Sequence, residues 1–333
     1  MKDGISIIIC TYNPEKDIFE RILKALVDAE LNSIGYFENI IIDNNSLFPL
    51  EHEEYIQKFL KNTPNSTVFI EKRQGLTQAR KRGITEARCK WILFIDDDNE
   101  IDKDYIIQIK NVCNTYPDLA AFNAGVIRVK FLGDVKKWFE NIGKSHFQES
   151  NIQETIVGKD TKTFGHWPFG TGLIVTKEVC DYYVKKLDRG LYTLTDRNGK
   201  MLMSGGDGQL VACAIEMGYS IGRAKELKLN HLIAARKATM SYLRKIDYGI
   251  YFSGELFTKE SLPDNTHTFS TLQEVRMFIN TFVIGGCKAI LKNDFNKYSL
   301  QRASLLGRLN GNRLASGKKT SWFLSMLSKR YSS

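Results

Sequence analysis

The stretch KWILFIDDDN (residues 90–99) joins a run of large apolar side chains to three consecutive aspartates. An apolar run that ends abruptly in charge is typical of a buried strand whose carboxyl end reaches solvent. Side chains alternate along an extended chain, so we expect Asp96 and Asp98 on one face and Asp97 on the other. Adjacent carboxylates repel one another, and two of them on one face suit a hard divalent cation. A solvated acidic loop is the alternative.

Upstream of this stretch, apolar runs alternate with amphipathic segments. The sequence predicts strands at 5–10, 39–46, 66–75 and 90–99, with helices at 15–30 and 75–88. This order indicates an open, largely parallel α/β sheet, in which ligands bind outside the carboxyl ends of the strands. The polar clusters TYN (11–13), DNNS (43–46) and DDD (96–98) all follow predicted strands. We therefore expect them to share one nucleotide-sized crevice.

Beyond residue 120 the pattern is less regular. The sequence predicts a strand at 122–131, a glycine-rich turn with a strand and a helix at 167–180, and a helix within 204–222 that ends at Gly218. The polar segments 130–165 and 185–203 are predicted to be loops, and residues 251–333 to be mostly helical.

The positive charge of the chain lies in its last part. The net charge is +9 over 333 residues, and residues 271–333 hold eleven Lys and Arg against two acidic residues, which leaves the rest neutral. Apolar segments such as FVIGG, AILK, SLLGRL and WFLSMLSKR alternate with these cations. That pattern is typical of a helix lying on an anionic lipid surface. An ordinary helical extension with a solvated basic face is the alternative.

Other features argue against several classes of protein. No apolar stretch reaches the length of a membrane span, and the N-terminus lacks the pattern of a secretory signal, so we expect a cytoplasmic location. Six scattered cysteines without a C-x-x-C pair argue against a zinc site and a disulfide framework. A nucleic-acid-binding protein could also carry a basic tail, but that function gives the aspartates no task, so we expect no nucleic-acid partner.

An ordered set of motifs resembles the inverting family 2 glycosyltransferases. The set is C-TYNP (10–14), IIIDNNS (40–46), GLTQARKRGI (75–84), FIDDDN (94–99), FGTG (169–172), SGGDGQL (204–210) and NHLIAARKATMSYL (230–243). The resemblance covers roughly residues 4–250. It implies a GT-A fold, with a Rossmann-like, mostly parallel central sheet flanked by helices. A nucleotide-binding half (1–100) would then join an acceptor half (101–250), followed by a basic helical extension (251–333).

The resemblance implies a pocket for a nucleotide-sugar, with a uridine donor preferred. Thr11, Tyr12 and Asn13 would line the base pocket, and Asp43 would face a uracil N–H. The sequence also allows two local roles, because Asn13 with Pro14 suits the start of the first helix and Asp43 suits a turn.

The resemblance places two arginines near the phosphates and a cation beside the aspartates. Arg80 and Arg236 would lie near the diphosphate, although a surface helix position is the alternative for each. Asp96 and Asp97 would contribute to the nucleotide-sugar site, with Asp96 closer to the ribose. The metal ligands would be Asp98, His231 and Asp96, and imidazole suits Mn²⁺ better than Mg²⁺. A structural histidine is the alternative for His231.

The resemblance also implies a general base and an acceptor wall. The family carries Gly-Glu-Asp before a helix, and its Asp takes the proton from the acceptor hydroxyl. This chain has Gly205-Gly206-Asp207, so the Asp is present and the Glu is missing. A helix cap is the alternative for Asp207. The expected acceptor-side residues are Trp167, Phe169, Gly170, Thr171 and Gly172. Core packing is the alternative for Trp167.

The implied function is inverting, Mn²⁺- or Mg²⁺-dependent transfer of one sugar to a hydroxyl of a glycan or lipid-linked glycan in surface polysaccharide synthesis. Processive family members carry Q-x-x-R-W and several membrane spans, and both are absent from this sequence. We expect a protein that contacts the inner face of the cell membrane through residues 271–333. A catalytically inactive relative that only binds nucleotide-sugars is the alternative, because Gly206 replaces the usual Glu. A phosphotransferase with an aspartyl nucleophile is the rival enzyme. It would place its carboxylates after the first strand, where this chain has TYNP (11–14) instead.

Overall fold

The computed structural model describes residues 1–161, 165–197 and 202–332. The strands of these residues are β1 (Lys2–Thr11), β2 (Tyr36–Asp43), β3 (Ser66–Ile70), β4 (Cys89–Asp96), β5 (Asn99–Ile101), β6 (Leu119–Phe131), β7 (Ser150–Asn151), β8 (Ile156–Gly158), β9 (Ile174–Thr176) and β10 (Ser220–Ile233).

The helices are α1 (Lys16–Leu31), α2 (Glu54–Asn62), α3 (Leu76–Glu86), α4 (Tyr105–Thr115), α5 (Lys137–His146), α6 (Lys177–Asp188), α7 (Gly206–Glu216), α8 (Met240–Ser261), α9 (Thr271–Phe278), α10 (Gly285–Lys292), α11 (Phe295–Ala315) and α12 (Trp322–Ser332). A π-helical segment (Ile279–Ile284) joins α9 to α10, and a short 3₁₀ turn (Ala235–Lys237) follows β10.

The chain folds into two compact units. The first unit consists of Met1–Gly133, Phe147–Leu191 and Asp207–Ala234, and it contains the sheet. The second consists of Asp134–His146, Tyr192–Gly206 and Ala235–Ser333. Helix α8 runs without a break across residue 250, where the sequence predicts the start of the C-terminal extension.

The sheet of the first unit has the strand order β3-β2-β1-β4-β9-β6-β10-β5. Strands β3, β2, β1 and β4 pair in parallel, as do β6 and β10, whereas the short strands pair antiparallel. The central strand β1 buries Ile7, Ile8 and Ile9, as expected for a parallel strand covered by helices on both faces. The predicted mixed α/β fold with a mostly parallel sheet is confirmed.

Three local predictions are wrong. Helix α1 begins at Lys16 with Glu15 as its N-cap residue, so Asn13 and Pro14 do not start it. The strand predicted at 90–99 ends at Asp96, because the chain turns there before β5. Residues 130–165 are not simply a loop, since they contain α5, β7 and β8.

The second unit is built around the packing of α11 on α8. A Cβ on Gly307 would lie 2.3 Å from the Tyr248 carbonyl oxygen, and a Cβ on Gly311 would lie 2.3 Å from that of Phe252. These two glycines, one helical turn apart, therefore let the helix backbones approach closely. In the segment SLLGRL (304–309), the leucines are buried, so the expected lipid contact of this segment is wrong. None of the described helices is both long and apolar enough to span a bilayer.

Candidate active site

The loops after β1 and β2 are tied together at the carboxyl edge of the sheet. The register of the parallel pair places Thr11 beside Asp43. Asn13 has a left-handed backbone (φ 49°), its side-chain oxygen accepts a hydrogen bond from the Leu47 N–H at 2.8 Å, and its own N–H donates to Ser46 Oγ at 2.9 Å. Asn13 therefore joins two loops instead of capping a helix, which explains why the local sequence signal is misleading.

Asp43 is buried at the start of the β2 loop. Its Oδ1 accepts a hydrogen bond from the Ser46 N–H at 2.8 Å, and its Oδ2 accepts one from the Leu50 N–H at 3.0 Å. The turn-forming alternative for Asp43 is therefore present in the structure. Contact of Asp43 with a nucleobase stays a prediction, as does the same role for the exposed Tyr12.

Tyr55 on α2 is a neighbour of the candidate site that the sequence analysis did not identify. Burial raises the pKa of its hydroxyl to about 12, with further contributions from four carboxylates that include Asp43 and Asp97. Its ring also packs edge-on against Phe19. Tyr55 thus lies near the carboxylates of the predicted base pocket. Nothing in the amphipathic pattern of α2 distinguishes it from an ordinary packing residue.

The three aspartates of the acidic turn have different surroundings. β4 ends at Asp96, and Asp97 and Asp98 occupy the turn before β5, so strict alternation does not continue through the triplet. Thr11 Oγ1 donates a short hydrogen bond of 2.5 Å to Asp97 Oδ2. Asp98 is buried, and its side chain accepts a hydrogen bond from Asn99 Nδ2 at 3.0 Å. Asp97 thus contacts Thr11 at the end of β1, whereas Asp98 contacts Asn99.

His231 faces Asp98 because β5 and β10 pair antiparallel, with His231 opposite Asn99. Its Nδ1 lies 2.9 Å from the Phe147 carbonyl oxygen, which requires Nδ1 to donate. Its Nε2 lies 3.4 Å from Asp98 Oδ1. Burial lowers the pKa of His231, but Asp98, the Phe147 carbonyl and Asp96 together outweigh burial, and the net shift is upward.

The Asp98 and His231 pair fits one side of a divalent cation site. Nδ1 donates to a backbone carbonyl and Nε2 faces Asp98, so the imidazolium would donate from Nε2 to that carboxylate, whereas the neutral ring would offer its Nε2 lone pair to a cation held between them. The described residues contain no cluster of three or more His, Cys, Asp or Glu side chains suited to a metal, so the structure does not bring Asp96 into one ligand set with Asp98 and His231 as the resemblance implies. Two protein ligands leave the other positions to phosphate oxygens and water, as is common for cations that act with nucleotides.

Arg80 lies among charged groups at the end of β1, although it belongs to α3. Burial raises the pKa of the Cys10 thiol to about 12, the charge of Arg80 opposes this rise, and Asp96 and Asp97 add to it. Arg80 is itself buried. The surface-arginine alternative is therefore wrong, and a guanidinium lies near the acidic strand end, where a diphosphate would need positive charge.

Asp207 occupies the first turn of α7, which begins at Gly206. The cap alternative for Asp207 is wrong, because Asp196 Oδ1 accepts hydrogen bonds from the N–H groups of Gly205 and Gly206, both at 2.8 Å. The Asp207 carboxylate lies against Gly170, where an added Cβ would be only 2.4 Å from Oδ2. The predicted general base and the predicted acceptor-side turn are therefore in contact.

The acceptor-side turn is held by side chains from several elements. Gly172 has a positive φ of 65°, and its carbonyl oxygen accepts a hydrogen bond from the Tyr105 hydroxyl at 2.9 Å. Thr171 Oγ1 donates to Gln148 Oε1 at 2.7 Å. Trp167 is half-buried. The turn beside Asp207 is thus fixed in position before any acceptor binds.

Arg223 on β10 is a second residue that the sequence analysis missed. Its guanidinium lies 4.5 Å from the centre of the Phe169 ring, and its Nη2 donates a hydrogen bond to Ser150 Oγ. Burial lowers the pKa of Arg223. The sequence signal at this place is an arginine within SIGRA (220–224), at the start of β10. Arg223 holds Phe169 through a cation–π contact.

Arg236 is the one predicted donor-site residue that lies in the second unit. It is exposed in the 3₁₀ turn Ala235–Lys237. Its contact with the phosphates stays a prediction. The other predicted site residues all belong to the first unit.

The chain is similar to a described protein family and to several known proteins. Residues 6–169 match the family model described as Glycosyl transferase family 2. The protein named "Putative glycosyltransferase EpsH" from Bacillus subtilis (strain 168) is 29% identical over 152 residues, which cover 46% of this chain and 39% of EpsH. The chain thus spans about two fifths of the length of that curated relative.

Two solved structures of S. aureus TarS 1-349 are also similar. One is 14% identical with a TM-score of 0.46, and the other, in complex with UDP-GlcNAc, is 13% identical with a TM-score of 0.46. Each covers 96% of this chain and 93% of the TarS chain. These values are too low to transfer residue roles.

Proposed function

Because residues 6–169 of this chain belong to glycosyl transferase family 2, we propose that the protein transfers a single sugar from a nucleotide-sugar, preferably a uridine diphosphate sugar, to an acceptor hydroxyl. The observation that carries this proposal is the convergence of carboxylate, imidazole and guanidinium groups at the carboxyl edge of the sheet. Thr11 donates a hydrogen bond to Asp97 there, and His231 Nε2 lies 3.4 Å from Asp98 Oδ1. Arg80 lies near Asp96 and Asp97.

The donor is proposed to bind across the ends of β1, β2 and β4. The base would lie beside Tyr12, Asn13, Asp43 and Tyr55, where two loops are already joined by hydrogen bonds. Arg80 would bind the diphosphate. A rigid edge of this kind orients the donor at little entropic cost, because its loops are ordered before binding.

We propose Asp98 and His231 as the ligands of Mn²⁺ or Mg²⁺, with Asp96 nearby. Such an ion supplies positive charge beside the leaving nucleoside diphosphate. The chain itself keeps the His231 tautomer fixed through the Phe147 carbonyl and keeps Asp98 buried. Arg80 adds a second, permanent positive charge, which stabilises the negative charge that develops on the leaving group.

Asp207 is the proposed general base. The acceptor O–H bond breaks as its proton passes to the Asp207 carboxylate, and the oxygen forms a bond to the anomeric carbon. The bond from that carbon to the diphosphate breaks at the same time, and the nucleoside diphosphate leaves with the electron pair. Attack from the opposite face inverts the anomeric configuration. Phe169 and the turn Gly170–Gly172 form the proposed acceptor wall beside this carboxylate.

The proposed acceptor is a glycan or lipid-linked glycan used in surface polysaccharide synthesis. We place the protein on the cytoplasmic side, at the inner face of the cell membrane, because its net positive charge lies in one segment. The second candidate is a relative that binds nucleotide-sugars without transferring them. The absence of a carboxylate at Gly206 favours it, because the family's Glu could help to fix the site.

The test measures nucleotide binding and turnover separately. Calorimetry with UDP, in Mn²⁺ and in a chelator, should show metal-assisted binding that Asp98→Asn and His231→Gln remove. Turnover of a panel of UDP-sugars, with glycan acceptors or water, should fall about 10²- to 10⁴-fold in Asp207→Asn while UDP affinity is unchanged.

Asp17→Asn is the matched control, because Asp17 is an exposed carboxylate in the first turn of another helix. It should behave as wild type. Binding without turnover of any donor would establish the inactive relative instead. Failure to bind any nucleoside diphosphate with either metal would refute both.

A further inference from the structure

The segment formed by α9, the π-helical turns and α10 exposes an apolar stripe, which we call the α9–α10 face. Leu272 and Leu291 are 78% and 84% exposed. Spacings of three, four and seven residues place the members on one side of the helix. The members are Leu272, Val275, Ile279, Val283, Ile290 and Leu291.

The opposite side of the same segment is already packed. Met277 and Phe282 lie against the apolar core of the second unit, and Ala289 is buried. A surface helix in a globular protein normally presents a polar outer side, whereas this one is apolar on both sides. Exposed apolar patches of this kind mark interaction surfaces.

The start of α12 extends this surface. The rings of Phe278 and Phe323 lie 5.6 Å apart, which places the beginning of α12 beside α9. Trp322, at that beginning, is 77% exposed. Tryptophan is favoured where an apolar surface meets water at a lipid headgroup layer.

The charge around the face selects the partner. Both acidic residues of 271–333 are engaged, because Glu274 is buried and accepts a hydrogen bond from Arg313, and the Asp294 side chain accepts the Lys297 N–H. The same segment holds eleven basic residues, among which Arg313 pairs with Glu274 and Arg308 pairs with Glu255, so its net charge is positive. A second copy of the chain would bring the same positive charge to the contact, whereas an anionic lipid surface would neutralise it.

A groove beside the helix offers a place for a headgroup. Its volume is about 470 Å³, and its lining includes Lys288 and Arg308 together with the polar side chains of Asn280, Thr281 and Gln301. Lysine and arginine donate charge-assisted hydrogen bonds to phosphate oxygens.

We propose that the α9–α10 face binds an anionic phospholipid surface, with its apolar side chains at the boundary between headgroups and acyl chains. Arg276, Lys288 and Lys292 contact the phosphates. The sequence analysis expects residues 271–333 to contact the membrane. The proposal assigns that contact to the α9–α10 face and excludes residues 304–309, whose leucines are buried. It does not depend on glycosyl transfer.

Vesicle co-sedimentation of the full chain tests the proposal without donor or metal. The protein should bind vesicles that contain phosphatidylglycerol more tightly than pure phosphatidylcholine vesicles, and salt should weaken this binding. The triple variant Leu272→Gln, Ile279→Gln, Leu291→Gln should lose about tenfold or more in partitioning. The double variant Lys288→Glu, Lys292→Glu should lose at least about fivefold on anionic vesicles.

Matched controls carry equal changes elsewhere. Leu31→Gln with Ile34→Gln alters exposed apolar side chains of the first unit, and Lys58→Glu with Lys61→Glu alters exposed lysines of α2. Both should lose far less binding than the face variants. Brominated lipid should quench the tryptophan fluorescence of the wild type but not that of Trp322→Phe. This measurement does not require the triple or the double variant to fold.

Three results would overturn the proposal. They are failure of the wild type to bind anionic vesicles at low salt, wild-type binding by both face variants, and concentration-dependent self-association that the triple variant abolishes without any vesicle binding. The last result would identify a second copy as the partner. Because nucleotide binding and turnover are measured separately, none of these results alters the proposed transferase activity.

Discussion

Single residues divide into those that a motif identifies and those that only their neighbours identify. Asp98 and His231 are both visible in the sequence, but their separation of 3.4 Å follows from the pairing of β5 with β10. Tyr55 and Arg223 carry no motif. Their proximity to Asp43 and Phe169 depends on how α2 and β10 pack.

Gly170→Ala should lower turnover with little change in stability. The added methyl would lie 2.4 Å from Asp207 Oδ2, and the carboxylate would move because it is the end of a flexible side chain. We expect kcat to fall about tenfold or more, since a base displaced by about 1 Å loses its alignment. Steady-state kinetics and a thermal unfolding curve measure the two effects.

Gly165→Ala is the control for this change, because an added Cβ there meets nothing within 4 Å. It should leave kcat unchanged. Wild-type turnover by a folded Gly170→Ala protein would contradict the assigned position of the base.

Among the elements, α7 shows how a helix start positions a functional group. Glycines at 205 and 206 provide no side-chain cap, and Asp196 supplies the missing acceptor from another part of the chain. Asp207 is thereby left in the first turn beside Gly170. The sequence pattern Gly-Gly-Asp suggested a cap at Asp207, because Asp196 is not adjacent and no local rule includes it.

Asp196→Ala should destabilise the protein through this helix start. Two backbone N–H groups would lose their acceptor, and loss of a cap typically costs about 0.5–2 kcal/mol of the free energy of unfolding. Chemical denaturation followed by circular dichroism measures the change. Asp196→Asn keeps one acceptor oxygen and should lose less, so equal losses in both variants would count against the capping role.

At the scale of the whole molecule, the two units contain different kinds of functional residues. The first contains the sheet and nearly all the predicted donor-site residues, whereas the second contains the basic helices. The second unit also holds a partly buried ion pair, in which His146 Nε2 lies 3.2 Å from Asp247 Oδ1 and His146 Nδ1 lies 2.9 Å from the Ile142 carbonyl oxygen.

This pair predicts a pH-dependent stability. The hydrogen bond to Asp247 raises the pKa of His146 above its ordinary value of 6.5. The imidazolium is therefore favoured in the folded state, so its stabilisation is complete below pH 6.5 and is lost as the pH rises through the higher folded pKa. The thermal midpoint of wild type should fall more than that of His146→Gln between about pH 6 and pH 8.

His52→Gln is the control, because His52 is exposed beside Glu51. It should show the wild-type dependence on pH. If His146→Gln and wild type followed the same curve, the ion pair would not contribute.

The sequence by itself determined the approximate places of β1–β4, α1 and α3, the mixed α/β class and the place of the acidic turn. These features follow from local periodicity and from strand ends, which a chain carries without reference to distant parts. It also located the net positive charge in residues 271–333, because charged residues can be counted directly from the sequence.

Only the tertiary structure decided that Asp196 starts α7, that Asn13 joins two loops and that Asp97 and Asp98 point to different partners. It also divided the basic segment into a buried core, 304–309, and an exposed apolar face. Each of these outcomes depends on contacts between residues far apart in the chain. Local rules cannot contain such contacts, because they arise only when strands pair and helices pack.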